Sequence, residues 1–134
     1  MFAAGLLADA RQEVIDIFAD MASSLTEGNA AGFLKPFDRK MQGYEQLDAN
    51  VRALAEQNDV LTSAEVLENE GSEQARDVKL DWLLQIRSRA ESGGLERRRQ
   101  TVECRLEKRG KHWRITAFEP VALFAPLPAA AGAR

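Results

Sequence analysis

From Asp77 to Arg87 the chain alternates, with Val78, Leu80, Trp82, Leu84 and Ile86 on every second position and Lys79, Asp81, Gln85 and Arg87 between them. A period of two is the signature of a strand with one dry and one wet face. Upstream the period changes. Leu7, Ala10, Val14, Phe18, Met21 and Leu25 recur at spacings of three and four, which predicts a long amphipathic helix from about Ala3 to Glu27. Gly28 supplies its left-handed stop, and Asn29 caps a short helical turn through Ala30 to Lys35. Pro36 then bends the path, and Phe33, Leu34 and Phe37 give this short element an apolar surface to dock, as a lid or plug over one end of the core. Tyr44 to Gln57 reads as a further helix, with Leu47, Val51 and Leu54 inward and an Asp48–Arg52 pair on its surface.

Strands follow, at about Val60–Glu70, Ala75–Arg89, Leu95–Lys108, His112–Glu119 and a short Val121–Phe124, separated by Gly71-Ser72, Ser92-Gly93-Gly94 and Arg109-Gly110-Lys111. Turn chemistry at each boundary makes them consecutive hairpins. The fold class expected is α+β, with N-terminal helices packed on a strongly curved antiparallel sheet. Residues 1–125 are expected to form one domain, followed by a flexible tail, 126–134, with nothing to pack against.

Symmetric hairpins would place Val78 opposite Leu106, Leu80 opposite Cys104, Trp82 opposite Val102, Leu84 opposite Gln100 and Ile86 opposite Arg98. Carried through Gly110, the same logic sets Trp113 beside Leu106, Ile115 beside Cys104, Ala117 beside Val102 and Glu119 beside Gln100. The dry face would then end in a polar cluster of Arg98, Gln100 and Glu119. A slip of one residue would invert these faces.

Composition narrows the classes. The 134 residues are 45% hydrophobic and 29% charged, an ordinary globular balance, and the net charge of −3 supplies no basic footprint for nucleic acid. The Arg97-Arg98-Arg99 run is split by strand alternation and has Glu96, Glu103 and Glu107 nearby, so it reads as a solvated strand face. Cys104, the one cysteine, lies in a strand and reads as a small buried hydrophobe. No apolar run is long enough to span a bilayer. Phe2 to Ala10 can be read as the end of an export signal, with Ala8-Asp9-Ala10 as a cleavage pattern, or simply as the start of the first helix. Localisation stays open between cytoplasm and export on that choice.

The order of elements, with the segment Glu27-Gly28-Asn29-Ala30-Ala31-Gly32-Phe33-Leu34 between helices and Trp113-Arg114-Ile115 in a late strand, resembles the NTF2-like superfamily. The resemblance spans about residues 10 to 125 and includes the cystatin-like cone of SnoaL-type proteins and ketosteroid isomerases. It implies a bent sheet wrapped around helices, with a pocket at the open end. It does not assign a reaction, because members include isomerases, dehydratases and cyclases as well as domains that only bind. Where the isomerases carry a first-helix tyrosine, this chain has Phe18 or Met21. The only histidine, His112, falls at a hairpin end and points outward by alternation.

The expectation is a small-molecule-binding domain whose pocket lies between the first helix and the sheet, without catalysis. Phe18, Met21, Trp82, Leu84 and Trp113 would form the wall, and Arg98, Gln100 and Glu119 the polar end. An apolar wall suits a mostly apolar ligand. Two alternatives stay open: an enzyme of the isomerase, dehydratase or cyclase kind drawing on Glu119, Asp38 or Tyr44, and a protein-interaction domain whose cavity is filled by its own side chains. No metal-spaced ligand set, phosphate loop or nucleophile motif is present, so no cofactor is implied. Leu83, Thr101 and Phe118 would form an apolar strip on the outer sheet face, through which a homodimer is expected.

Overall fold

A computed structural model describes residues 2–90 and 93–128, with side chains from Asp9 onward. Of the expected export-signal remnant, 1–10, only Met1 lies outside the described residues, the backbone from Phe2 being helical, and the end of the tail, 129–134, lies outside them. Three helices, α1 (Phe2–Thr26), α2 (Ala30–Leu34) and α3 (Tyr44–Gln57), precede four strands, β1 (Asn58–Gly71), β2 (Ala75–Ser88), β3 (Leu95–Arg109) and β4 (His112–Glu119). The strands form one antiparallel meander in the order β1-β2-β3-β4, curled and unclosed, with the helices packed against it.

The helical periodicity selects the core as expected: Ala10, Val14, Phe18, Met21 and Leu25 of α1, and Leu47, Val51 and Leu54 of α3, are all buried. Asn29 caps α2 by accepting from the Gly32 amide at 2.9 Å. Gly32 sits close against α1 and its own cap: a Cβ there would lie 2.6 Å from the Ser24 hydroxyl oxygen and 2.7 Å from the Asn29 side-chain nitrogen, so one of these side chains would have to turn aside. Segment 36–38 runs parallel to the free edge of β4. Ile115 donates to the Pro36 carbonyl and Asp38 donates to the Ile115 carbonyl, each at 2.9 Å, so this edge is covered.

Pairing between β2 and β3 differs from symmetric hairpins by two residues: Val78 faces Cys104, Leu80 faces Val102, Trp82 faces Gln100, Leu84 faces Arg98 and Ile86 faces Glu96. An even shift preserves every face. The β3–β4 hairpin behaves otherwise. Near its turn Leu106 faces Ile115 and Lys108 faces Trp113, but a bulge next to Arg105 then shifts the register, so that Arg105 faces Ala117, Cys104 faces Phe118 and Glu103 faces Glu119. One extra residue on β4 reverses the faces beyond it. Phe118, expected outside, is buried at 1% exposure, while Ala117 and Glu119, expected inside, are exposed.

The expected last strand is also corrected. Pro120 has no N–H to continue a ladder, and Val121–Phe124 forms a 3-10 turn, η1, with Leu123 and Phe124 buried. Beyond it Leu127, expected to have nothing to pack against, lies partly buried on the core.

Candidate functional site

The cone interior is filled with aromatic rings from five elements and one connecting segment. Phe18 of α1, Phe33 of α2, Phe37, Trp82 of β2, Phe118 of β4 and Phe124 of η1 are all buried. Trp82 meets Phe18, Phe33, Phe118 and Phe124 edge-on at centroid separations of 6.4, 5.9, 6.0 and 5.3 Å, the favoured geometry for opposed ring quadrupoles. Its indole N–H donates to the Thr62 hydroxyl at 2.8 Å, and that hydroxyl donates to the Leu83 carbonyl at 2.6 Å. Phe18, Trp82 and Leu84 of the expected pocket wall are thus packed core residues in this structure.

The expected polar end is not assembled. Gln100 is exposed opposite Trp82, and Glu119 lies on the outer face in a charged depression shared with Glu68, Glu70, Asp77 and Glu103 and with Lys79 and Arg105, which pair with Glu68 and Asp77. Arg98 keeps its inward position, half-buried, and its guanidinium donates to the carbonyls of Leu123, at 2.7 Å, and of Ala125. It also pairs with Glu96. The bulge in β4 explains the separation, because it turns Glu119 away from the face that carries Arg98.

Open space instead lies outside α1. A groove of about 440 Å³ runs between α1, α2 and the start of β4, a size suited to a small ligand. Ile17 and Pro36 give it apolar surface over a floor of Met21 and Trp113, two of the expected wall residues, which keep only 1% and 5% of their surface exposed. Glu13, Asp16 and Asp20, spaced three and four apart, place three acids on the α1 wall. Lys35, Lys111 and Arg114 bring positive charge from α2 and the β3–β4 end, and the exposed His112 stands among them.

Trp113 fixes this wall. Its indole N–H donates to Glu13 at 2.8 Å and Lys108 approaches the same carboxylate at 3.3 Å, while the Lys108 ammonium sits 5.7 Å from the Trp113 ring centre. The indole hydrogen bond is the main cause that holds the Glu13 carboxyl below its ordinary pKa; burial, the next largest effect, opposes it, and Lys108 adds to the lowering.

The other candidate acids are engaged elsewhere. Asp38 accepts from the Lys40 amide at 2.8 Å and pairs with Arg109 at 2.7 Å; the amide first, then the guanidinium, lower its pKa. Tyr44 opens α3 and packs partly buried against the core. Two charges escaped the sequence pattern. Arg76 is 2% exposed and is met by neutral oxygens, the side chain and carbonyl of Asn69 at 2.9 and 2.7 Å, and burial lowers its pKa. Asp81, on the outer face, is gripped by Arg99 through both carboxylate oxygens, at 3.0 and 2.7 Å, which lowers its pKa. Cys104 is buried, and that burial pushes its thiol well above the ordinary range. Among the described residues, no group of three or more His, Cys, Asp or Glu could hold a metal ion, and no helix is long and apolar enough to cross a membrane.

No family model matches the chain, and no curated protein matches it by sequence. Solved structures do resemble it. An NTF2-like superfamily protein from Salmonella enterica serovar Typhimurium superposes with a TM-score of 0.67 at 12% identity, over 93% of this chain and 96% of that one. A conserved protein from Planctomyces limnophilus gives 0.70 at 9% identity, over 78% and 89% of the two chains. A type 2 hexachlorocyclohexane dehydrochlorinase gives 0.67 at 13% identity, over 83% of each. Identity this low carries the fold and nothing finer. The chain has the NTF2-like fold.

Proposed function

We propose that the domain binds a small, mostly apolar molecule in the groove between α1 and the start of β4 and does not transform it. The observation that carries this reading is the composition of the groove: an apolar strip of Ile17, Met21, Pro36 and Trp113 between an acidic wall on α1 and basic side chains opposite. Such a strip takes the ligand body, and walls of opposite sign orient its polar ends. The acid closest to the indole, Glu13, is held ionised by Trp113 and Lys108, which suits a fixed charge better than a proton carrier. Backbone amide NMR with 4-(aminomethyl)benzoate, an aromatic body with one charge of each sign, tests the reading. Shifts should concentrate in residues 16–21, 32–36 and 112–114; shifts elsewhere, or none at millimolar probe, would overturn it.

A second reading, pairing of two copies through the outer sheet face, has its own support. The bulge removes Phe118 from the expected strip, but Leu83 stays 42% exposed and Leu61, on the neighbouring strand, is 60% exposed. Arg87, Arg97 and Arg99, the last paired with Asp81, lie toward one end of this face, and Glu68, Glu70, Asp77, Glu103 and Glu119, with Lys79 and Arg105 paired among them, lie toward the other. Two copies laid antiparallel would match basic end to acidic end. Sedimentation at tens of micromolar should give a dimer mass that Leu83→Lys reduces to a monomer, and a monomeric wild type would count against it.

A further inference from the structure

Of the sheet's two edges the chain covers one. Segment 36–38 closes off β4 at Ile115, whereas no backbone among the described residues pairs with the open side of β1. The Thr62 amide donates to the Thr26 hydroxyl at 3.2 Å, away from β2, and the β1–β2 register runs unbroken from Asn58 to Val66. Strand geometry therefore turns the N–H and C=O of Ala64 and Val66 to the same open side. Among the described residues these main-chain groups have no hydrogen-bond partner there. The irregularity at Leu67 ends the regular edge. Along it runs a groove of about 410 Å³, lined on the α1 side by Ala19, Ala22 and Ser23 and on the β1 side by residues from Leu61 to Ala64.

We infer that this edge takes an extended, cationic segment of a partner protein, added to β1 as a further strand. An open edge is a template for such pairing, and edges kept from it commonly carry lysine or proline. β1 has neither between Asn58 and Gly71. Its charged side chains, Asp59, Glu65, Glu68 and Glu70, are all acids, and Glu27 adds another from the α1 wall of the groove. Arg89 pairs with Asp59 and Lys79 with Glu68, while Glu65, Glu70 and Glu27 form no ion pair among the described residues. This charge argues against a second β1 as the occupant, since two such strands bring acid to acid with no base on either. A basic strand meets the opposite condition. Alternation sets its pattern: side chains on its inner side lie over Ala19, Ala22 and Ser23, which suits small apolar groups, and those on its outer side lie beside Ser63 and Glu65, which suits Lys or Arg. The edge is apart from the groove between α1 and β4, and the inference does not rest on a ligand there.

The test uses the full chain and the peptide acetyl-Ala-Lys-Val-Lys-Ala-Lys-Val-amide. By NMR, amide shifts should concentrate in residues 19–27 and 60–66, and hydrogen exchange of the Ala64 and Val66 amides should slow by about tenfold or more. Ala64→Pro removes an outward donor without breaking a bond to β2, and in a cooperatively melting variant it should weaken the peptide by about tenfold. Glu65→Lys should weaken it by about threefold, and the same peptide with Glu in place of Lys should not bind. Two versions of the peptide N-methylated on alternate residues give a readout that needs no variant to fold. At least one of them should bind about tenfold more weakly than the parent; if both match it, charge alone holds the peptide and the inference fails. No binding at millimolar peptide, shifts confined to other surfaces, or an Ala64→Pro variant that binds as wild type does overturns it as well. So does a dimeric wild type whose Ala64 and Val66 amides are already protected without peptide, because the edge would then belong to a second copy.

Discussion

The interior of the cone and the groove outside α1 are built from the same kinds of residue to opposite ends. Inside, Phe18, Phe33, Phe37, Trp82, Phe118 and Phe124 are all buried and meet ring to ring, and Trp82 spends its one donor on Thr62. Outside, Trp113 is also largely buried, but its donor holds a carboxylate at the rim of an open groove and its ring faces a lysine. Two tryptophans on the inner faces of neighbouring hairpins therefore carry different duties. A ring whose neighbours are all apolar supports the fold, whereas a ring with charge on its edge shapes a surface.

That contrast predicts an ordered series of effects. Trp82→Ala should be the most damaging change, costing about 3–5 kcal/mol in urea denaturation because four ring contacts are lost and a cavity remains. Phe124→Ala should cost less, about 3 kcal/mol, since a turn whose backbone hydrogen bonds are local can settle into part of the space. Arg98→Met should follow at about 1–3 kcal/mol, having left the carbonyls of Leu123 and Ala125 without a donor. If Trp82→Ala proved milder than Trp113→Phe, the division between interior and groove would fail.

Trp113→Phe probes the groove side. It keeps the ring and removes the donor to Glu13, so the loss at neutral pH should stay within about 1 kcal/mol, the partner being half exposed. Its pH dependence is more informative. Glu13 has a folded pKa below its unfolded one, so its contribution is present above the ordinary carboxylate range and lost as pH falls through the folded value. The gap between wild type and Trp113→Phe should therefore close on acidification in urea melts from neutral pH to pH ~3. A gap that persisted unchanged would mean the hydrogen bond to Glu13 is not its source. At the small end, Asp20→Lys should move stability by no more than about 0.5 kcal/mol while weakening ligand binding in the groove, as read by probe titration.

Much of this was legible in the sequence wherever a face depends on periodicity alone. Spacings of three and four identified the buried sides of α1 and α3, and alternation identified Val78 to Ile86 as the inner side of β2. The two-residue error in pairing β2 with β3 did no harm because it was even. The extra residue in β4 was not legible, since nothing in Arg114 to Glu119 marks a bulge, and its odd shift carried Phe118 inside and Glu119 outside. Pro120, with no N–H to continue a ladder, is the signal that no strand follows, while the apolar Val121–Phe124 run after it has a strand-like composition. The filling of the cone could not be read locally, because it needs Phe33, Phe37, Phe118 and Phe124 to converge from well-separated stretches of the chain. Arg76 escaped for a related reason: its acceptors on Asn69 come from the partner strand across the hairpin.

Native mass spectrometry of the gently purified protein beside its Asp20→Lys, Lys35→Glu double variant tests the central claim most directly. The account predicts a reproducible small-molecule adduct on wild type that the charge reversal removes while the fold, judged by cooperative melting, is kept. A bare wild-type mass unchanged by added amphiphilic aromatics, or an adduct that survives the reversal, would contradict it.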